Sequence, residues 1–158
     1  MNDEDAREKA KQDGVSVDWH FQSLISLANN NALGISVTLS VGGSIVTGTL
    51  IGGAEYFQLF SEQISSNIAD EEAKRTVRES YAQLGEIYAQ NLEITEGENG
   101  DSATEERPLD YLGPQYVHLK DAQIISTSGQ TLPSNEGALW RFKVNTVDGF
   151  SLGRLVRQ

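Results

Sequence analysis

The sequence contains no cysteine, which excludes a disulfide framework, a thiolate nucleophile and a metal site built on thiolate ligands. It has only two histidines, His20 and His118, which do not have the i, i+4 spacing of paired metal ligands. Neither a G-x-S-x-G nucleophile motif nor a phosphate-binding G-x-x-x-x-G-K-[ST] motif occurs. We therefore expect no catalytic residues, no metal, no cofactor and no enzymatic activity.

A long hydrophobic run is also missing. The most apolar stretch, residues 41–54, is interrupted by five glycines, whereas a membrane-spanning helix needs about 20 mostly apolar residues. The acidic start, residues 1–5, lacks the basic and apolar regions of a signal peptide. These absences predict a soluble cytoplasmic protein that does not enter a lipid membrane.

Basic residues are few: 12 Lys and Arg stand against 23 Asp and Glu, for a net charge of −11. Because phosphate contacts need clustered Lys and Arg, no nucleic-acid partner is expected. Much of the charge lies in residues 1–14, with five acids and three bases, and in residues 93–108, with six acids and one base. We predict a disordered acidic leader over 1–14, a disordered acidic loop over about 93–108, and a single domain over 15–158.

Apolar residues at helical spacing predict two helices. One extends from about Asp18 to Asn30, with Asp18 or Ser16 as its cap. The other covers residues of about 70–91, where a 4-3-4 apolar stripe consists of Val77, Tyr81, Leu84 and Tyr88. Residues 54–66 also fit a helix, although a strand continuing through Phe57 is an open alternative.

Strict alternation over residues 35–41 predicts a strand with one apolar face. Gly42 and Gly43 suit the positive φ angles of a two-residue hairpin turn, and Gly48 indicates a bend or a close backbone approach in the returning strand. Further strands are predicted over 116–125 and 138–144, the latter with Trp140 facing the interior. A second hairpin turn is predicted at Asp148 and Gly149.

The bent hairpin, with Val46-Thr47-Gly48-Thr49-Leu50-Ile51-Gly52, and the segment His118-Leu119-Lys120-Asp121-Ala122 resemble the small barrel of Sm-like proteins. The resemblance implies an α+β fold built on a small, strongly bent antiparallel β-barrel, with an N-terminal helix. Residues 61–114 would then be an insertion that holds one helix and the acidic loop. It also implies, as an alternative function, an RNA-binding ring, although the turn at Asp148 is acidic where that family carries a basic pair.

A second resemblance is more specific. Several segments look like those of the gas-vesicle accessory protein U family: Gly43 to Ile51, Glu55-Tyr56-Phe57, Val117 to Ala122, Trp140-Arg141, and Val147-Asp148-Gly149-Phe150-Ser151-Leu152-Gly153. This resemblance implies a non-enzymatic accessory role in the formation or clustering of gas vesicles. The implied partners are further copies of the chain, the gas-vesicle shell and other gas-vesicle proteins.

Aromatic residues near the two predicted hairpins are the candidates for such contacts. Exposed aromatic patches often mark interaction surfaces, whereas buried aromatic residues form cores, and both interpretations stay open at this point. The candidate interaction residues are Tyr56, Phe57, Trp140, Arg141, Asp148 and Phe150.

Overall fold

The computed structural model describes residues 17–89 and 113–155; the predicted acidic leader and acidic loop lie outside these residues. The described residues form helices packed on a six-stranded antiparallel sheet, which confirms the α+β class. The elements are α1 Trp19–Asn31, β1 Ile35–Val41, β2 Ser44–Ile51, α2 Gly53–Ser65, α3 Glu71–Ala89, β3 Tyr116–Ile125, β4 Thr131–Leu132, β5 Ala138–Lys143, a 3-10 turn Val144–Thr146 and β6 Val147–Leu152.

Helix α1 begins where its capping residue predicts. The Asp18 carboxylate accepts hydrogen bonds from the backbone N–H of His20 at 2.8 Å and of Phe21 at 3.3 Å. These bonds satisfy two of the N–H groups that a helix start leaves unpaired. The helix ends at Ala32, whose φ of 49° is left-handed. The predicted helix is confirmed to within one residue at each end.

The β1–β2 hairpin also follows the prediction. Gly42 and Gly43 have φ angles of 55° and 82°, as the two central residues of a type I′ turn require. Opposite Gly48 the pairing of β2 with β3 shifts register. A Cβ atom on Gly48 would lie 3.1 Å from the Cα of Ala122, so the predicted close approach is confirmed.

The sheet is not closed, so the expected barrel is wrong in this respect. Strands run in the order β6-β1-β2-β3, and β3 pairs on its other side with both β4 and β5. The three-residue turn Val144–Thr146 alone joins β5 to β6, which lie at opposite edges of the sheet. The two edges must therefore approach each other. Within residues 17–89 and 113–155 they form no ladder, and the turn between them is closed by a hydrogen bond from Val147 N–H to Val144 O.

The second hairpin turn, predicted at Asp148 and Gly149, is also wrong. Gly149 lies within β6, opposite Ser40 of β1, and the chain turns earlier, at Val144–Thr146. The Asp148 carboxylate accepts a hydrogen bond of 2.8 Å from the backbone N–H of Gly42. Pairing with β1 and this contact to the β1–β2 turn therefore outweigh the local turn preference of the Asp-Gly pair.

Two packed helices connect β2 to β3, where the Sm-like resemblance implies one inserted helix. Helix α2 begins directly after β2 and contains Phe57, so the alternative of a continuing strand is wrong. Helix α3 covers Glu71–Ala89, so both of its ends lie within two residues of the predicted bounds, about 70 and 91. Glycines permit the close packing: a Cβ on Gly53 would overlap the Tyr88 ring, and one on Gly85 would lie 3.2 Å from the carbonyl oxygen of Ala54.

The two faces of the sheet pack against different helices. The first core lies between the inner face and α1; its largest fully buried members are Phe21, Ile25, Leu39, Leu50 and Leu119. The second core lies between the outer face and the helical pair and consists of Ile51, Tyr56 and Phe57, with Leu59, Phe60, Tyr81, Tyr88 and Leu139 packed around them. Alternation along β3 divides the faces, because Val117 and Leu119 face the first core while His118 faces the second.

Candidate binding groove

A cavity of about 400 Å³ lies between α2, α3 and the outer face of β5. Six of its lining residues are aromatic or charged: Tyr56, Phe57, Phe60, Tyr81, Tyr88 and Arg141. Leu84 and Ile87 complete the wall on the α3 side. We call this cavity the aromatic groove. Its volume is within the range of small-ligand pockets, roughly 300–1,000 Å³.

Helical periodicity places the aromatic side chains in the groove. Tyr56 and Phe60 are one turn apart on α2, and their rings stack with centroids 5.9 Å apart. Tyr81 and Tyr88 lie two turns apart on α3. The Phe60 ring lies 5.1 Å from that of Tyr81, and the Phe57 ring lies 5.8 Å from that of Tyr88. The ring contacts between the helices hold the groove walls at a fixed spacing.

Arg141 contributes a positive charge from β5. Its guanidinium carbon lies 3.8 Å from the ring centroid of Tyr116, and Nη2 donates a hydrogen bond of 3.4 Å to the Tyr88 hydroxyl. The side chain is exposed. Between described residues the ion pairs are Lys74–Glu71 and Lys120–Glu55, so no described carboxylate neutralises Arg141.

His118 lies beneath the groove and is completely buried. It stands opposite Arg141 in the β3–β5 ladder, and its ring is 4.6 Å from that of Tyr56 and 5.4 Å from that of Tyr88. Neither Nδ1 nor Nε2 has a hydrogen-bond partner among the described residues. Burial, with a smaller effect from the Arg141 charge, lowers the pKa of His118 from 6.5 to about 3, so the imidazole is neutral near pH 7.

Tyr56 also stays uncharged. Burial raises the pKa of its hydroxyl, and the nearby Arg141 charge opposes this effect only in part. With both Tyr56 and His118 neutral, Arg141 supplies the single charge among the residues that line or underlie the groove. The groove is therefore suited to bind an apolar group that carries one negative charge.

The structure brings together three of the six candidate residues, Tyr56, Phe57 and Arg141. Trp140 lies on the opposite face of the sheet and stacks on Phe142 with ring centroids 5.2 Å apart. Asp148 contacts the β1–β2 turn, as described above. Phe150 stacks on Phe21 of α1 at 4.8 Å, which places it against the first core.

Sequence reasoning missed His118 as part of this site, because an isolated histidine in a strand is more often structural or exposed. Tyr81, Leu84 and Tyr88 were visible as an apolar stripe, which predicts only that α3 packs on something. The missing information was the partner of that stripe. Packing of α3 on α2 turns two amphipathic faces into one groove, and that contact joins residues far apart in the sequence.

Two absences within residues 17–89 and 113–155 limit what else the site could be. No group of three or more His, Asp or Glu side chains there is placed to hold a metal ion. Nor is any helix in these ranges long and apolar enough to cross a membrane.

These features define a small α+β fold with an aromatic groove on one face of its sheet. The family model described as "Gas vesicle protein GvpU-like" matches residues 18–155, from the cap of α1 to the end of the described chain. The chain therefore belongs to the GvpU-like family of gas-vesicle proteins, which confirms the more specific of the two resemblances. No curated protein and no solved structure matches the chain, and the likeness to Sm-like barrels stays a prediction.

Proposed function

We propose that this gas-vesicle accessory protein self-associates through the edges of its sheet, and that the oligomer binds gas vesicles or other gas-vesicle proteins to aid their formation or clustering. Membership of the GvpU-like family supports the accessory role and gas-vesicle-related partners. The observation that carries self-association is the pairing of the two edge strands. Strand β6 pairs only with β1, and β5 only with β3, among the described residues.

The free edge of β6 is suited to pair with another strand. Gly153 N–H donates inward to Ser36 O at 2.7 Å, so the N–H of Leu152, one residue earlier, points away from β1. The Leu152 side chain is 67% exposed. An exposed edge with outward N–H groups is a template for strand addition.

The two edges present different surfaces, so pairing β6 of one copy with β5 of another is head-to-tail. Such contacts generate closed rings or open filaments. Each added copy repeats the same weak contacts with a vesicle, and avidity can then hold vesicles together without one strong contact. A net charge of −11 opposes non-specific aggregation and makes association sensitive to salt.

The test compares Leu152→Pro with Leu152→Ala. Both variants remove the exposed leucine side chain, but only proline removes the outward N–H, and it breaks no bond within the sheet. We expect the wild type and Leu152→Ala to sediment as oligomers and to float with isolated gas vesicles. Leu152→Pro should sediment as a smaller species and float less. A wild-type monomer that stays with the vesicle-free fraction would overturn the proposal.

The RNA-binding alternative gains no support from β6. The Sm-like family that the chain resembles carries a basic pair at the position of Asp148. Here the Asp148 carboxylate accepts a hydrogen bond from the β1–β2 turn. Titration of short RNA at low salt provides the check. Tight binding that weakens steeply as salt is added would favour the alternative.

A further inference from the structure

The rim of the aromatic groove is more exposed than the interior of a finished core. Ile87 is 60% exposed and Leu84 is 40% exposed, although both line the cavity. A small molecule seated inside the cavity would leave the outer side of these residues in water. An occupant that covers the rim has to extend beyond the cavity, as a segment of protein does.

The length of the groove matches a short helical contact. Its α3 wall extends from Tyr81 to Tyr88, a separation of seven residues, which corresponds to roughly 10 Å or two helical turns. Amphipathic helices bound in grooves use anchors at i, i+3 or i+4, and i+7, which cover the same distance. The apolar walls and this length together suit the apolar face of a helix.

Charge indicates what else the occupant carries. Arg141 is held in place by the Tyr116 ring and the Tyr88 hydroxyl, and it has no carboxylate partner among the described residues. A guanidinium without a described carboxylate partner is notable in a chain with almost twice as many acidic as basic residues, 23 against 12. The neutral His118 beneath it adds no charge, so one carboxylate is the complementary group.

We propose that the aromatic groove binds an amphipathic helix of a partner gas-vesicle protein, which inserts apolar side chains between α2 and α3 and pairs one Asp or Glu with Arg141. The identity of the partner as a gas-vesicle protein rests on the proposed function. The groove itself does not depend on self-association through β5 and β6. Arg141 selects the carboxylate by charge and geometry, because a planar guanidinium can donate two parallel hydrogen bonds to it.

The floor provides a second reason to expect an occupant. Among the described residues both ring nitrogens of His118 are buried without a partner, and such groups are rare in completed cores. Three rings that line the groove, those of Tyr56, Phe57 and Tyr88, have centroids within 6.1 Å of this imidazole. Binding in the groove should therefore alter the His118 environment as well as that of Arg141.

The experiment uses overlapping peptides of about 15 residues, roughly four helical turns, that span the gas-vesicle proteins of the same cell. Full-length protein is titrated against each peptide in solution. We expect bound peptides to combine helical apolar spacing with an acidic residue. Arg141→Gln should weaken their binding about tenfold, as expected for loss of a charged hydrogen bond. Changing the acidic residue of the peptide from Asp to Asn, or from Glu to Gln, should weaken binding to the same extent. Combining this change with Arg141→Gln should cause little further loss of affinity.

Two variants separate the groove from the rest of the surface. Ile87→Gln changes the exposed rim and should weaken the same peptides. Leu27→Gln changes a leucine of α1 that is 46% exposed and outside the groove, and should leave binding unchanged. Binding that Arg141→Gln and Ile87→Gln leave unaltered would overturn the proposal, as would the absence of any bound peptide.

Other occupants produce different outcomes. Saturable binding of octanoate, a small apolar carboxylate, without any peptide binding would make the groove a small-molecule site. If Ile87→Gln by itself makes the protein sediment as a smaller oligomer, the groove is occupied by a second copy of the chain. Both results contradict the proposal. If the proposed function is wrong, the wild type should be a monomer that does not float with vesicles. If the protein floats with vesicles and Arg141→Gln does not change this, only the proposal for the groove is contradicted.

Discussion

The two faces of the sheet bury different kinds of side chain. The first core is mainly aliphatic, and its large members, such as Leu119, have no exposed surface. The second core is mainly aromatic; it contains a buried histidine without a hydrogen-bond partner among the described residues, and the groove beside it reaches solvent at Ile87. The first face also buries one nitrogen without a described partner, Nε1 of Trp140, so the clearest difference between the faces is exposure. The helix over the first core shields its large side chains from solvent, whereas the helices over the second leave a cavity at its edge.

Truncation in the first core should have the largest effect on stability. We expect Leu119→Ala to lower the free energy of unfolding by about 2–5 kcal/mol, because it removes buried methyl groups and leaves a cavity. Leu84→Ala at the groove is the matched control, and since Leu84 is 40% exposed we expect a much smaller loss. Urea unfolding followed by circular dichroism measures both. Equal losses would remove the distinction between the two faces.

Acid should weaken the second core through His118. The pKa of this histidine is about 3 in the folded protein and 6.5 in the unfolded chain, so below about pH 6.5 the unfolded state binds the extra proton. The contribution of His118 to the free energy of unfolding therefore falls as pH falls, by about 1.4 kcal/mol for each pH unit between the two pKa values. His118→Leu keeps an apolar side chain at the site and should flatten this part of the pH dependence.

Urea unfolding at about pH 7 and about pH 5.5 measures this effect as a difference between wild type and variant, which cancels the shared response of the carboxylates. The stability difference should shift by about 1.4 kcal/mol in favour of His118→Leu at the lower pH. An identical pH profile for both proteins would mean that His118 is not buried in the neutral form.

Arg141→Gln should have the smallest effect on stability. The guanidinium is exposed and contacts the Tyr116 ring, an interaction that contributes about 0.5–1 kcal/mol at such sites. Thermal unfolding should therefore change little. A loss as large as that of Leu119→Ala would show that Arg141 holds the fold together, which would contradict its assignment to a binding surface.

Local signals predicted local structure well. Asp18 starts α1, Gly42 and Gly43 turn the first hairpin, and Gly48 allows the close approach of β3, because each depends on the backbone preferences of one or two residues. Asp148 and Gly149 carry an equally good local signal, yet they lie within a strand. There, pairing with β1 and the bond to Gly42 decide the outcome, and both partners are more than 100 residues away along the chain.

A chain without cysteine, with few histidines and with no long apolar run shows a groove of aromatic side chains and one guanidinium in its described part. Periodicity predicted most of the individual helices and strands, because burial patterns of strands and helices follow directly from alternation and helical spacing. Only the tertiary structure places α2 against α3, Arg141 above His118, and β5 and β6 at separate edges, because these arrangements depend on contacts between distant segments.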